Sequence, residues 1–191
     1  MPVADDQTLR EGRRVYFAEN GLPADGGYDD GWVVIRVRRV PVLAFPNTAD
    51  RRRAVPFHDL HHVVTGYGTD LIGEAEIGAW ELASDCSESR AATFLNLQVF
   101  GFMLPLHRER LFRAFLRGRR SRNLYGGVCD ENLLGRHVGE VRVELGADCA
   151  PAEASAADRA AWRRWVAIAA GLSWWGPVLP MAAVAWWWLA R

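Results

Sequence analysis

Apolar residues recur every three to four positions over most of this chain, which is the period of an amphipathic α-helix. The helices predicted from this pattern cover 8–19, 56–65, 70–84, 91–106, 107–122 and 132–146. Residues 32–45 are instead rich in valine and are interrupted by proline, which predicts a small hairpin or edge ribbon. The pattern therefore predicts a mainly α fold: a compact helical domain with a small N-terminal β ribbon.

Histidines cluster on the helix predicted over 56–65. His61 shares its apolar stripe, whereas His58 and His62 lie four residues apart on the neighbouring stripe. A glycine-containing turn at 66–69 separates this helix from the next. The simplest arrangement is two antiparallel helices joined by a short turn, with His61 packed against the neighbouring helix.

Two later helices have unusual surfaces. Residues 91–106 are apolar nearly all round, which predicts a helix that is buried on most sides or lines a hydrophobic cavity. Residues 107–122 combine an apolar stripe with many arginines. This cationic face is expected to meet either anionic lipid or solvent.

The C-terminal end is the most apolar part of the chain. No charged residue occurs from Trp165 to Ala190, and seven of the nine tryptophans lie between Trp162 and Trp188. A helix of this length exceeds the roughly 30 Å hydrocarbon core of a bilayer. Glycine and proline near Pro180 interrupt the run, so we predict a membrane-type helix or a helical hairpin. An oligomer interface is the alternative.

Composition narrows the possible functions. The formal net charge is zero, which argues against a general nucleic-acid binder. All 23 basic residues are arginine, so Schiff-base lysine chemistry is excluded, and a bacterial source is expected. The three cysteines lack CxxC spacing, and the polar N-terminus is unlike a secretory signal peptide. The arginines before the tail predict a cytoplasmic body.

The histidine helix carries the candidate metal ligands. On consecutive turns, His58 and His62 can both reach one ion at about 2.0–2.1 Å. Asp59 can bind from the flank or fix a histidine tautomer, and Glu74 in the next helix can complete the site. This donor set suits zinc or iron better than calcium or magnesium. A purely structural histidine pair is the alternative, because the downstream acids are several: Asp70, Glu74, Glu76 and Glu81.

The same residues resemble a known motif. The segment from His58 to His62, then eleven residues, then Glu74, matches the His-Asp-x-x-His, eleven residues, Glu motif of the coenzyme Q biosynthesis protein Coq-four family. The likeness covers roughly residues 56–146. It implies a helical fold and a divalent metal, usually zinc, with His58, Asp59, His62 and Glu74 as metal ligands and catalytic residues.

The resemblance also implies an activity. The family acts on a polyprenylated hydroxybenzoate precursor of ubiquinone, replacing its C1 carboxylate by hydroxyl at a membrane, together with other enzymes of quinone biosynthesis. Helix 91–106 is then the candidate wall of a prenyl slot. We expect a homodimer at the cytoplasmic face of the bacterial inner membrane, anchored by the tail. The chain divides into an N-terminal segment (1–55), a metal-binding core (56–150) and a linker with the tail (151–191).

Two other functions remain open at this point. The first is a non-catalytic scaffold that presents a prenyl lipid to partner enzymes and holds a structural metal. The second is a zinc hydrolase, because the segment from His58 to His62 resembles the HExxH helix with Asp59 in the general-base position. A structural zinc site has four protein ligands, whereas a catalytic site keeps one position open.

Overall fold

The computed structural model describes residues 3–37, 40–149 and 153–189, with side chains described at 3–34, 44–149 and 153–172. Two strands, β1 (Trp32–Val37) and β2 (Val40–Pro46), pair antiparallel. The helices within these ranges are α1 (Leu9–Glu19), α2 (Ala49–Thr65), α3 (Leu71–Ala83), α4 (Arg90–Gly118), α5 (Glu131–Leu134), α6 (Val138–Leu145) and α7 (Ala156–Leu189). The predicted mainly helical fold with a small N-terminal ribbon is therefore confirmed.

Helix α1 packs its apolar side against α2 and α6. It begins at a capping box in which Thr8 and Glu11 each bond the other's backbone N–H. Its fully buried Leu9 lies in one apolar cluster with Leu60 of α2 and Val138 of α6. This packing brings α1 alongside the histidine face of α2.

Helix α2 begins at Ala49, so the predicted start at Pro56 is wrong. The Thr48 side chain caps the helix by accepting a hydrogen bond from the Arg51 backbone N–H at 3.3 Å. Alanine and arginine in the first turns are good helix formers, and they extend the helix upstream of Pro56. The longer helix places Arg51 two turns before His58, on the same side.

Helices α2 and α3 run antiparallel around a glycine turn, as predicted. Gly66 ends α2 in the left-handed conformation, with φ 76°. At Gly73, in the first turn of α3, a Cβ atom would lie 2.1 Å from the Gly68 carbonyl oxygen. Only glycine allows this approach, which fixes the turn against α3 and thereby positions Glu74.

Helix α4 contains both of the helices predicted over 91–106 and 107–122. The boundary between them is real, because His107 departs from helical geometry with φ −133° and ψ 30°. One side of the first half lines a cavity through Leu95 and Val99. The same face continues towards the end of this half, where Phe102 is 66% exposed and Leu106 is 73% exposed. The cavity-lining alternative for this apolar helix is therefore the observed one.

The tail begins as part of the helical core. Trp162 of α7 is only 4% exposed, and its ring meets those of Phe100, Phe112 and Phe115 edge-on at 5.1–5.3 Å. Of the two arrangements predicted for the tail, the single helix is observed. No helix in the described ranges combines the length and apolarity needed to cross a bilayer. The tail's side chains from residue 173 onward, and residues 190–191, lie outside the described part.

Candidate metal centre

Three predicted ligands converge between α2 and α3. The Nε2 atoms of His58 and His62 are 3.2 Å apart. Glu74 places Oε2 3.4 Å from His58 Nε2 and Oε1 3.4 Å from His62 Nε2. Of the described residues, these three form a group whose donor atoms all lie close enough to share one cation.

The separations fit a small divalent ion. Donors bound tetrahedrally to zinc at about 2.0–2.1 Å are separated from each other by about 3.3 Å. The 3.2 Å between the two Nε2 atoms matches that spacing, and each oxygen of Glu74 lies 3.4 Å from one of the two nitrogens. Two imidazole nitrogens and one carboxylate suit zinc or iron, as the sequence predicted.

Hydrogen bonds at the far side of each ring set the tautomers. His62 Nδ1 lies 3.0 Å from the carbonyl oxygen of Tyr67, an acceptor only, so Nδ1 carries the proton. His58 Nδ1 donates to Glu81 Oε1 at 2.9 Å. In the neutral rings both Nε2 lone pairs therefore point into the same space. That is the orientation a metal-binding histidine pair requires.

Glu81 anchors the site from behind. Its side chain is 0% exposed. Oε1 accepts from His58 and from His61 Nδ1, the latter at 2.7 Å, while Oε2 accepts from Asn96 at 2.6 Å and from the Tyr125 hydroxyl at 2.7 Å. Each oxygen thus has two donors, which is how a buried carboxylate remains ionised.

His61 belongs to this anchor and does not face the metal site. Its Nε2 accepts a hydrogen bond from the Leu124 backbone N–H at 2.9 Å, so its Nδ1–H donates to Glu81. Burial lowers the pKa of His61 and keeps the ring neutral. The predicted interior packing of this histidine is observed.

Mutual electrostatics hold the metal-free cluster together. Burial lowers the pKa of His58, but Glu81 and Glu74 outweigh it and raise that pKa well above 6.5. Burial alone would raise the pKa of Glu74, yet hydrogen bonds from His58 and His62 bring it down to about 2. Burial alone would also raise the pKa of Glu81, but the interactions with His58 and His61 lower it. Without metal, a proton on His58 takes the place of the cation.

Asp59 is not brought into the ligand group. Its Oδ2 accepts a 2.6 Å hydrogen bond from the Tyr28 hydroxyl, and Asp59 lies in the wall of the same cavity as His58 and Glu74. Burial raises the pKa of Asp59. The two rings are hydrogen-bonded to Glu81 and Tyr67 rather than to Asp59, and the prediction that Asp59 binds a metal from the flank stays a prediction.

A cavity of about 570 Å³ opens beside the metal centre. His58 and Glu74 form part of its wall, and Tyr16 stacks on His62 with ring centroids 5.3 Å apart. Much of the remaining wall is apolar, with Leu95 and Val99 contributed by α4. Such a cavity accepts an organic molecule with an apolar body.

Comparisons with known proteins add no relative. No family model matches the chain, and neither a curated protein nor a solved structure is significantly similar to it. The likeness to the coenzyme Q family therefore depends on the motif residues alone.

The sequence singled out Glu81 only as one of several downstream acids. It follows Glu74 by seven residues, so both carboxylates lie on the side of α3 that faces α2. An acid within the otherwise apolar stretch 77–83 was the available indication of burial. Tyr28 had no comparable indication, because it comes from a glycine-rich loop far away in the sequence.

Proposed function

We propose that this protein is a metal-dependent enzyme of ubiquinone-type quinone biosynthesis. Its substrate is a polyprenylated hydroxybenzoate, and the reaction replaces the C1 carboxylate by hydroxyl. The C1–carboxyl bond breaks, carbon dioxide leaves and a C1–oxygen bond forms. With water as the source of the hydroxyl oxygen this is a two-electron oxidation, and the two electrons and two protons pass to an acceptor such as molecular oxygen, which becomes hydrogen peroxide.

The observation that carries this proposal is the position of the ligand group at the edge of the cavity. His58, His62 and Glu74 supply three donors, and the surface that His58 and Glu74 present to the cavity leaves room for one further donor. A catalytic metal site keeps a position for substrate or water, whereas a structural site closes with four protein ligands. The geometry therefore favours catalysis over a scaffold with a structural metal.

Each part of the site has a role in this reaction. A bound divalent ion supplies Lewis acidity, which stabilises negative charge on a substrate oxygen. His58, His62 and Glu74 hold the ion, and Glu81 with the Tyr67 carbonyl orients the two rings. The apolar wall of α4 receives the ring and the first isoprene units, and it excludes water from them.

The wider setting follows from the same proposal. A prenylated substrate resides in lipid, so the enzyme works at the cytoplasmic face of the inner membrane with its C-terminal tail as anchor. Other quinone-biosynthesis enzymes supply the prenylated acid and consume the hydroxylated product. We expect a homodimer, and we expect no nucleic-acid partner.

A complementation experiment tests the function. In a strain lacking the gene, lipid extracts analysed by mass spectrometry are expected to accumulate a prenylated ring acid. The wild-type gene and the His137→Ala variant, which alters an exposed histidine outside the site, are expected to restore quinone. His58→Ala is expected to restore none. Full quinone production by a folded His58→Ala protein that contains no metal would remove this proposal.

A further inference from the structure

Arg51 is the one arginine in the wall of the substrate cavity among the described residues. It lies seven residues before His58 on α2, which is two turns or about 10 Å along the helix axis. The cavity therefore has a metal centre in one part of its wall and a guanidinium group in another.

The guanidinium is held in a fixed orientation. Its Nη1 donates to Asn47 Oδ1 at 3.1 Å, and its Cζ lies 5.9 Å from the centre of the Phe45 ring. Asn47 is 4% exposed, and its amide donates to the carbonyl oxygens of Tyr28 and Asp30 at 2.9 and 2.8 Å. These bonds place Arg51 independently of the metal ligands.

The charge of Arg51 has no direct counter-ion. Arg51 forms no ion pair with any described residue, and its buried Nε has no hydrogen-bond partner. Asp59, which also lines this cavity, stabilises the cation through its charge but forms no ion pair with it, and its Oδ2 accepts from Tyr28. A partly buried guanidinium with no acceptor at Nε and no ion-pair partner is costly, and an anion at this position would remove the cost.

We propose that Arg51 binds the carboxylate of an amphiphilic acid in this cavity. Guanidinium forms paired, charge-assisted hydrogen bonds with carboxylate, and the apolar wall receives the rest of the molecule. The inference rests on the proposed function for the choice of cavity. It deepens that function, because a ring carboxylate at Arg51 leaves the open metal position to a phenolic oxygen of the same substrate.

The experiment compares two simple probes, decanoate and decanol, by calorimetric titration of the purified full-length protein. We expect the wild type to prefer the acid by about tenfold to hundredfold, as for a hydrogen bond between charged groups. Arg51→Gln is expected to lose this preference, and Arg51→Lys to keep part of it. Arg53→Gln is the matched control, since it removes an exposed arginine of the same helix.

The inference is overturned if folded Arg51→Gln keeps the wild-type preference, or if the wild type has none. Should Arg51→Gln fail to fold by circular dichroism, an undiminished preference in Arg51→Lys overturns it. Repeating the titrations after chelation separates the two proposals. A preference that depends on Arg51 in metal-free protein supports the inference whatever the metal does. A preference lost on chelation but unaffected by Arg51→Gln assigns the carboxylate to the metal.

Discussion

Glu81 accepts a hydrogen bond at 2.9 Å from His58 Nδ1, on the side of the ring opposite the metal centre. This bond turns the His58 Nε2 lone pair towards His62. Because Glu81 also binds His61, Asn96 and Tyr125, it ties the metal ligand to the interior of the helical domain.

Replacing Glu81 by glutamine is expected to weaken both the fold and metal binding. The glutamine amide would place its own N–H donors opposite the N–H group of Asn96, which needs an acceptor. The substitution also removes a buried negative charge that four donors stabilise. We expect a loss of about 3 kcal/mol in unfolding free energy and a 10- to 100-fold loss in zinc affinity. Chemical denaturation and competitive zinc titration measure the two effects.

Glu76→Gln is the control for Glu81→Gln, since Glu76 lies on the same helix but pairs with Arg110 at the surface. It is expected to leave zinc affinity unchanged. An unaltered zinc affinity in folded Glu81→Gln would show that His58 is oriented without this carboxylate.

Asp59 and Glu74 are expected to differ sharply in their importance for metal binding. Glu74→Gln removes a donor and is expected to lower zinc affinity at least 10-fold. Asp59→Asn keeps the shape of a residue bonded to Tyr28 and is expected to retain zinc affinity within about threefold. Metal content by mass spectrometry and competition titration give the comparison.

The reverse result would reassign the site. If Asp59→Asn lost metal while Glu74→Gln kept it, then Asp59 would be the ligand, as the motif resemblance implies. Tyr28→Phe provides the control, because it removes the hydrogen bond of Asp59 without changing either carboxylate.

Zinc binding is expected to release a proton from His58. In the metal-free folded protein the pKa of His58 is raised above its ordinary value of 6.5. The stability contributed by the protonated ring is therefore fully present below pH 6.5 and is lost as the pH rises through the folded-state pKa. The pKa of Glu74 is lowered to about 2 in the folded protein. Its carboxylate therefore contributes stability above about pH 4.5, and this contribution is lost as the pH falls towards 2.

Two measurements follow from these pKa shifts. Calorimetric zinc titrations at pH 7 in buffers of different ionisation enthalpy are expected to show close to one proton released per zinc. Chemical denaturation of the chelated protein over a range of pH is the second measurement. The contribution of this cluster to the unfolding free energy is expected to be largest between pH 4.5 and 6.5. Zinc binding without proton release at pH 7 would contradict a protonated His58.

Gly73→Ala is expected to disturb the site through the backbone. The added methyl group would meet the Gly68 carbonyl, so α3 or the preceding turn must shift, at a cost of about 1–3 kcal/mol. Glu74 would move with it, and zinc affinity is expected to fall. Gly31→Ala, where nothing lies within 4 Å, is the control for thermal denaturation and zinc titration.

The histidine pair and its partner acid could be predicted because local geometry determines them. The i, i+4 spacing of His58 and His62 needs only a helix to stack the rings, and a short glycine turn brings Glu74 back to them. These relations depend on chain segments that are close in sequence. They hold whatever the rest of the fold does.

Other features depend on distant contacts and could not be predicted. The start of α2 at Ala49 follows from the Thr48 cap, which outweighed Pro56 as a marker of the first turn. The bond between Asp59 and Tyr28 joins residues that are far apart in sequence. Burial of Glu81 could be suspected from its apolar neighbours in the sequence. Its four hydrogen-bond donors could not be predicted, because they come from three separate parts of the chain.

The wall of the cavity beside the candidate metal centre comes from several separate parts of the chain. Residues 49–74 carry the candidate metal ligands, whereas residues 16–45 contribute other parts of the wall, including Leu22, Val33 and Phe45. Changes at Leu22, Val33 or Phe45 can therefore alter the cavity wall without altering a candidate ligand or the Tyr16 ring that stacks on His62. Under the proposed function, substrate selection and metal binding can therefore change separately, and hybrid chains that exchange this segment test that separation.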